Sequence, residues 1–325
     1  MKLKYLAAIA ESATRVSLPS IADLQTKPGV ERLCRDLAKL VQVWGRQIHA
    51  VRQAELVTAT QKSDRTIVTL LDPAVEDSFR SLMQRNYGSD VTVIGEERAN
   101  DFKPEDISGL VAILDPIDGT TNFYREGLTY CISMCMLWNG MPYLGIIYMP
   151  AMRWGIATTF LSGGKNLMPR SFPKNIAGKG RERESVKVSE FIVGIELSSD
   201  NFEPQFALFG EVQREIKIAC QRRAKLRNRG TSALNGLTAG LGAIDLYYQI
   251  QGKAHDLLPP ACIAHMAGAS VLHAGGDFFP ISAERLQAGI AGNSATAGMD
   301  IVIGYEPYAS RVAQKIADFK AKNGI

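Results

Sequence analysis

No run in the 325 residues is long and apolar enough to cross a bilayer. The nearest approach is at the start. There Lys2 and Lys4 precede an apolar run that meets Glu11 after six residues, too short for a span and marginal for the core of an export signal. A cytoplasmic protein with no membrane partner is expected. Cysteine is scarce, and its five copies (Cys34, Cys131, Cys135, Cys220, Cys262) are odd in number and scattered, which excludes a disulfide framework. Cys131 and Cys135 fall on one side of an apolar strand with no Cys/His cluster at zinc spacing, so both read as core. An excess of one charge is nearly absent too. With 37 basic and 33 acidic side chains the net is +4, which steers anions weakly and gives no ground for a nucleic-acid polymer as partner. The basic run from Arg222 to Arg229 has no interleaved aromatics and reads as a solvated face or an anion contact. Repeats and low-complexity segments are lacking.

What is present is an ordinary globular composition, 46% hydrophobic and 22% charged, on a chain long enough for two domains or one large layered one. The expected division is an N-terminal extension at 1–29, broken by Pro19 and Pro28, an α+β domain at 30–185, and an α/β domain at 186–325. The boundary falls in the glycine- and charge-rich stretch 160–187. From Val30, residues Leu33, Leu37, Leu40, Val41, Trp44, Ile48 and Val51 recur at helical spacing. A second helix is expected after Asp72-Pro73, with Asp72 as its N-cap. Short apolar strands follow at 91–95 and 111–114. Asn139-Gly140 marks a hairpin between 131–137 and 143–148. Beyond the boundary the pattern predicts a strand at 191–197, helices near 203–222 and 231–240, and a strand at 244–250. A helix after Asp256 is delayed by Pro259 and Pro260. Strands near 277–281 and 288–292 and a terminal helix from Pro307 complete the expectation.

Acidic residues gather where these elements end: Asp72, Glu96-Glu97, Asp115 and Asp118, and Asp256. Carboxylates at strand ends project into the crevice where α/β proteins bind ligands. Several of them on one spot repel unless a cation sits between, and an all-oxygen set suits Mg²⁺. In Asp115-Pro116-Ile117-Asp118-Gly119-Thr120 the proline stiffens a bend that can turn the Ile117 carbonyl toward a metal. The amides of Gly119 and Thr120 open a helical turn suited to phosphate. Haloacid-dehalogenase-type phosphatases place two Asp residues two apart. Here they are three apart around a proline, a spacing that spoils same-face strand geometry and reads as metal ligands with no covalent nucleophile. Each residue also has a plain reading: Asp72 alone is an ordinary cap, Glu97 is partly a solvated loop residue, and His255, His265 and His273 are packing or surface residues.

Gly95-Glu96-Glu97, Leu114 to Phe123, Arg229-Gly230-Thr231-Ser232-Ala233, and the stretch from Asp245 through His255-Asp256 to Gly275-Gly276 together resemble the inositol monophosphatase family, in order and spacing over residues 30–320. The resemblance implies a layered αβαβα sandwich of the sugar-phosphatase fold and a lithium-sensitive, Mg²⁺-dependent phosphomonoesterase that works as a homodimer on a small phosphate ester. It assigns Glu96, Asp115 and the Ile117 carbonyl to a first Mg²⁺, and Asp115, Asp118 and Asp256 to a second. Glu96 helps with a third. Thr120, paired with Asp72, orients and deprotonates the attacking water, and Lys62 belongs to a mobile loop.

Departures from the pattern bear on substrate. The family's usual Trp-Asp is His255-Asp256 here. Gln249 stands where inositol-specific members carry a glutamate that binds hydroxyls, and Arg98 adds a cation that suits a second anionic group. Ser198, Ser199, Ser232 and Gln249 are the expected polyol contacts, with Asp118. Inositol monophosphate is the first substrate expected. Fructose-1,6-bisphosphate, histidinol phosphate and adenosine 3′,5′-bisphosphate stay open, as does a ligand-sensing protein without turnover.

Overall fold

The computed structural model describes residues 2–61, 67–98, 107–171, 173–177, 190–196, 202–221, 223–291 and 298–324. The strands are β1 (Ala59–Gln61), β2 (Ile67–Thr69), β3 (Val91–Gly95), β4 (Leu110–Asp118), β5 (Cys131–Trp138), β6 (Met141–Met149), β7 (Trp154–Thr159), β8 (Glu190–Ile195), β9 (Arg223–Arg227), β10 (Leu246–Gly252), β11 (Ser270–His273), β12 (Gly276–Asp277) and β13 (Met299–Gly304). β1 and β2 form a two-stranded ribbon. The other strands build a five-stranded sheet, β3-β4-β5-β6-β7, and a six-stranded sheet, β12-β11-β13-β10-β8-β9.

Period-two alternation in the strands decides the layering. In β4, Leu110, Ala112 and Leu114 face a core shared with helices Lys2–Thr14, Lys27–Gln53 and Leu71–Tyr87. Val111 and Ile113 face the opposite way, onto helix Ala254–Met266. In β10, Tyr247 faces that same middle layer, whereas Leu246, Tyr248 and Ile250 face helices Phe202–Cys220 and Tyr308–Asn323. Helix Ser232–Gly240 shares the middle layer through Leu237, which clusters with Ile263 of helix Ala254–Met266. The result is the αβαβα sandwich.

Helix Lys27–Gln53 begins earlier than its apolar stripe. Thr26 caps it, its hydroxyl accepting from Gly29 N–H at 3.2 Å, and Pro28 sits in the first turn, where no N–H is needed. Residues before Val30 also contribute to the core. Ile9, Ala13, Leu18 and Leu24 are buried, and Trp44 donates its indole N–H to the Ile9 carbonyl at 3.3 Å. At Asn139-Gly140 both residues take positive φ, 49° and 74°, the hairpin turn that their sequence asks for.

Three local expectations fail for identifiable reasons. Helix Ala254–Met266 starts before Asp256, not after it, and runs through Pro259 and Pro260. Residues on both sides of the prolines are buried between the two sheets, and that packing outweighs the two lost backbone donors. The strand expected at 288–292 lies mostly in helix Ala283–Ala291. Ser282 caps it by accepting from Arg285 N–H at 3.2 Å, and Leu286 and Gly289 face inward at helical spacing. Strand pairing near 277–281 ends at Asp277, after two residues of β12.

Trp44 is fully buried, lies edge-on to Phe79, and anchors helix Lys2–Thr14. Trp44→Ala is expected to lower unfolding free energy by about 3–5 kcal/mol, read from urea denaturation.

Candidate active site

Asp115 follows Val111 and Ile113 in alternation, so its side chain turns toward the middle layer. Asp118 lies three residues on and in a regular strand would face away. Between them the pairing with β5 slips: Asp115 pairs with Ser133 and Asp118 with Cys131, three steps against two. The bulge, with Pro116 inside it, cancels the odd spacing and returns both carboxylates to one side. The sequence expectation that this spacing spoils a shared face is thereby corrected. Helix Ala254–Met266 brings Asp256 in its first turn, and one oxygen from each of Asp115, Asp118 and Asp256 lies within 4.8 Å of the others.

A second group joins it. Asp72, Glu96 and Glu97 meet within the same 4.8 Å limit, and Glu96 and Asp115 also meet His255. Asp72 is not an N-cap, because that position belongs to Leu70. Asp72 lies inside the first turn, and its Oδ2 accepts from Thr69 N–H at 2.9 Å and from the Thr69 hydroxyl at 2.6 Å. Its Oδ1 is buried with no hydrogen-bond partner.

The bulged end of β4 and the turn after it are tightly held. Asp115 Oδ1 accepts from Ile117 N–H at 2.9 Å, and the Ile117 carbonyl accepts from the Thr120 hydroxyl at 2.8 Å. That hydroxyl is therefore committed to Ile117, and the direct Thr120–Asp72 pairing implied by resemblance is not formed. Gly119 takes φ +85°, and a Cβ there would lie 2.8 Å from the Thr231 methyl and 3.1 Å from the Gly230 carbonyl, so only glycine fits. Asp118 Oδ2 accepts from Ala233 N–H at 2.9 Å, linking this loop to helix Ser232–Gly240.

The electrostatics are those of crowded, buried like charges. At the 4.8 Å limit within which these atoms lie, two ionised carboxylates repel by roughly 3 kcal/mol at an effective dielectric near 20, and by more when closer. Burial, followed by Glu96, Asp118 and Asp256, holds the Asp115 carboxyl well above the usual range. Burial lifts Asp118 to about 6, against the Ala233 amide and the Thr231 and Cys131 side chains that stabilise its charge. Asp256 also rises to about 6 through burial, offset first by His255, whose Nε2 lies 3.6 Å away. Asp72 rises to about 7 through burial, with Thr69 opposing and Glu96 and Glu97 adding.

Ser232 and Gln249 come together as expected, but with each other. The Gln249 side-chain oxygen accepts from the Ser232 hydroxyl at 3.0 Å and from the Tyr247 hydroxyl. Lys62, Ser198 and Ser199 lie outside the described residues. Arg98 turns away to Asp77 at 2.6 Å. The sequence reading missed Glu196, at the end of β8. Its carboxylate accepts from Asn235 Nδ2 at 3.1 Å, and burial followed by Asp118 and Asp256 pushes it up to about 8. The strand-end rule applied to the other acids marks it too. Glu97 likewise joins the acidic cluster rather than serving only the loop surface.

A layered αβαβα sandwich with buried carboxylates converging beside a strand-end bulge defines a class of proteins able to hold divalent metal in an oxygen-rich site. The chain belongs to the Inositol monophosphatase family, whose sequence profile matches residues 33–301. It is 24% identical over 221 residues to the Nus factor SuhB of Pasteurella multocida, covering 68% of this chain and 76% of that protein. It is 26% identical over 231 residues to inositol monophosphatase 1 of Solanum lycopersicum, covering 70% and 79%. In fold it is similar to the Thermotoga maritima IMPase, with TM-score 0.64 at 17% identity over 88% of this chain and 96% of that one. No helix among the described residues is long and apolar enough to cross a membrane.

For carboxyls whose folded pKa exceeds the unfolded 3.8, the favourable contribution is complete below about 4 and lost as pH rises through 6–7. Asp72→Asn should therefore gain stability relative to the unaltered protein as pH rises from 5 to 7.5, measured by thermal unfolding in EDTA.

Proposed function

We propose that the protein is a Mg²⁺-dependent phosphomonoesterase acting on a small phosphorylated polyol or sugar. The observation that carries this reading is the convergence of Asp72, Glu96, Glu97, Asp115, Asp118 and Asp256. The donor set fits a hard divalent ion. Two of its three groups are all carboxylate, the Asp72, Asp115, Asp118 and Asp256 carboxyls are destabilised in their charged form, and Asp72 Oδ1 is a buried acceptor without a donor. Glu96, Asp115, the Ile117 carbonyl, Asp118 and Asp256 are the residues we assign to two or three Mg²⁺. When bound, such ions neutralise the phosphate and lower the pKa of water.

The protein's own groups do the rest. The backbone amides of Gly119 and Thr120, at the left-handed turn that opens helix Thr120–Arg125, are the donors we assign to phosphate oxygens. Asp72 Oδ1 is the open acceptor for a proton of the attacking water, and Thr69 fixes the other carboxylate oxygen and so the plane of the group. The Thr120 hydroxyl acts by holding the Ile117 carbonyl, and through it the bulged end of β4 that carries Asp115 and Asp118. No serine, cysteine or histidine nucleophile is needed for direct displacement by water.

Inositol monophosphate is the first substrate in this reading. Gln249 argues for keeping the other candidates in the panel. Its oxygen already serves Ser232 and Tyr247, so its amide group, a donor, is what is left for a ligand.

Purified protein is expected to release phosphate from at least one of inositol monophosphate, fructose-1,6-bisphosphate, histidinol phosphate and adenosine 3′,5′-bisphosphate, with Mg²⁺ and not with EDTA. Asp115→Asn should lower kcat/KM by about a thousandfold while leaving the circular dichroism spectrum intact, since metal charge stabilisation supplies several kcal/mol. Ligand binding with no turnover of any of the four would favour a sensing protein.

A further inference from the structure

The helix that presents Asp72 also grips the turn that presents Glu96 and Glu97. One turn along helix Leu71–Tyr87, Glu76 is 1% exposed. Its Oε2 accepts from Glu97 N–H at 2.8 Å, and its Oε1 accepts from Arg80 at 3.2 Å. Arg80 in turn donates to the Val93 carbonyl of β3 at 3.0 Å. The turn lies directly on this carboxylate: a Cβ on Gly95 would fall 2.1 Å from the Glu76 carboxyl carbon. Outside it, Asp77 of the same helix holds Arg98 at 2.6 Å.

We infer that Glu76 is a positioning residue for the acidic site, its carboxylate fixing the Glu97 amide and so the placement of the Glu96 and Glu97 side chains relative to Asp72. The physical reason is the poor return on a buried ion pair as a stabilising device. Removing two charges from water offsets their attraction, and apolar replacements of similar volume are commonly as stable or more so. A buried Glu–Arg pair seated on the one turn that carries two cluster carboxylates is explained by geometry. It places an acceptor at a defined point. Partners that orient metal-holding groups are worth 10–100-fold in metal affinity. The inference rests on the metal-dependent reading above.

Two matched double variants isolate the hydrogen bond from the charge. Glu76→Gln with Arg80→Met keeps an acceptor for Glu97 N–H, and Glu76→Leu with Arg80→Met does not; neither leaves a buried charge. Mn²⁺ titration followed by electron paramagnetic resonance, with thermal unfolding in EDTA alongside, is the readout. The expected result is an Mn²⁺ affinity within about threefold of the unaltered protein for the Gln variant, and about 10–100-fold weaker for the Leu variant at similar metal-free melting temperature. Equal affinity in the two variants overturns the inference and leaves the phosphatase reading standing. An unaltered protein that neither binds Mn²⁺ nor hydrolyses any ester overturns both. Should either variant fail to fold, hydrogen exchange on the unaltered, metal-free protein decides. The Glu97 amide should be protected at least about a hundredfold, and exchange at the free-peptide rate overturns the inference.

Discussion

Mutual repulsion among buried and half-buried carboxylates is the constraint around which this molecule is arranged. Asp115 and Asp118 come from one strand, Asp72 and the Glu96-Glu97 turn from elements on one side of it, and Asp256 from the helix on the other. Each would be cheaper to keep in water, and a globular protein rarely buries even one unpaired acid. The surrounding structure makes their convergence possible. The β-bulge at Pro116 redirects a side chain, the Gly119 turn lets two loops touch, and the Thr69 and Ala233 donors take up individual oxygens. None of these devices supplies a positive charge, which is why the cluster reads as one half of a binding site.

The sandwich serves that site through its middle layer. Helix Ala254–Met266 packs on the five-stranded sheet through Leu257, Leu258 and Ala261, and the same apolar cluster includes Ile301 and Ile303 of the six-stranded sheet. Its first turn is thus fixed by both sheets, and Asp256 inherits that position. Glu196 at the end of β8 and Asn235 in helix Ser232–Gly240 approach from the second sheet, through a hydrogen bond between them. The acidic centre is accordingly a junction of layers.

Most of this was legible in the order of residues, because the signals were local. The stripe from Leu33 to Val51, the Asn139-Gly140 turn, and acids ending apolar strands each depend on neighbours a few positions away. What failed to show depended on distant contacts. Nothing near Asp118 announces a bulge that changes which way it faces, because the slip is defined by Cys131 and Ser133. Pro259 and Pro260 argued locally for a late helix, and burial between two sheets overruled them. Asp72 looked like a cap because Asp before Pro usually is one. Its actual partner, Thr69, lies behind it and pulls it into the helix's first turn. The hydroxyl contacts of Gln249 were hidden for the same reason: Tyr247 is two residues away on the strand, but Ser232 arrives on a different helix.

Asp115 and Asp256 are separated by roughly 140 residues of chain, and loop closure over such a length carries a large entropy cost. On the proposed reading, an ion held by both carboxylates would be a removable staple as well as a chemical agent. Because the two carboxylates meet only in the folded chain, such an ion would stabilise by mass action, about 2.7 kcal/mol at a hundredfold excess over its dissociation constant. Loading state and resistance to unfolding would in this way become one property of the molecule.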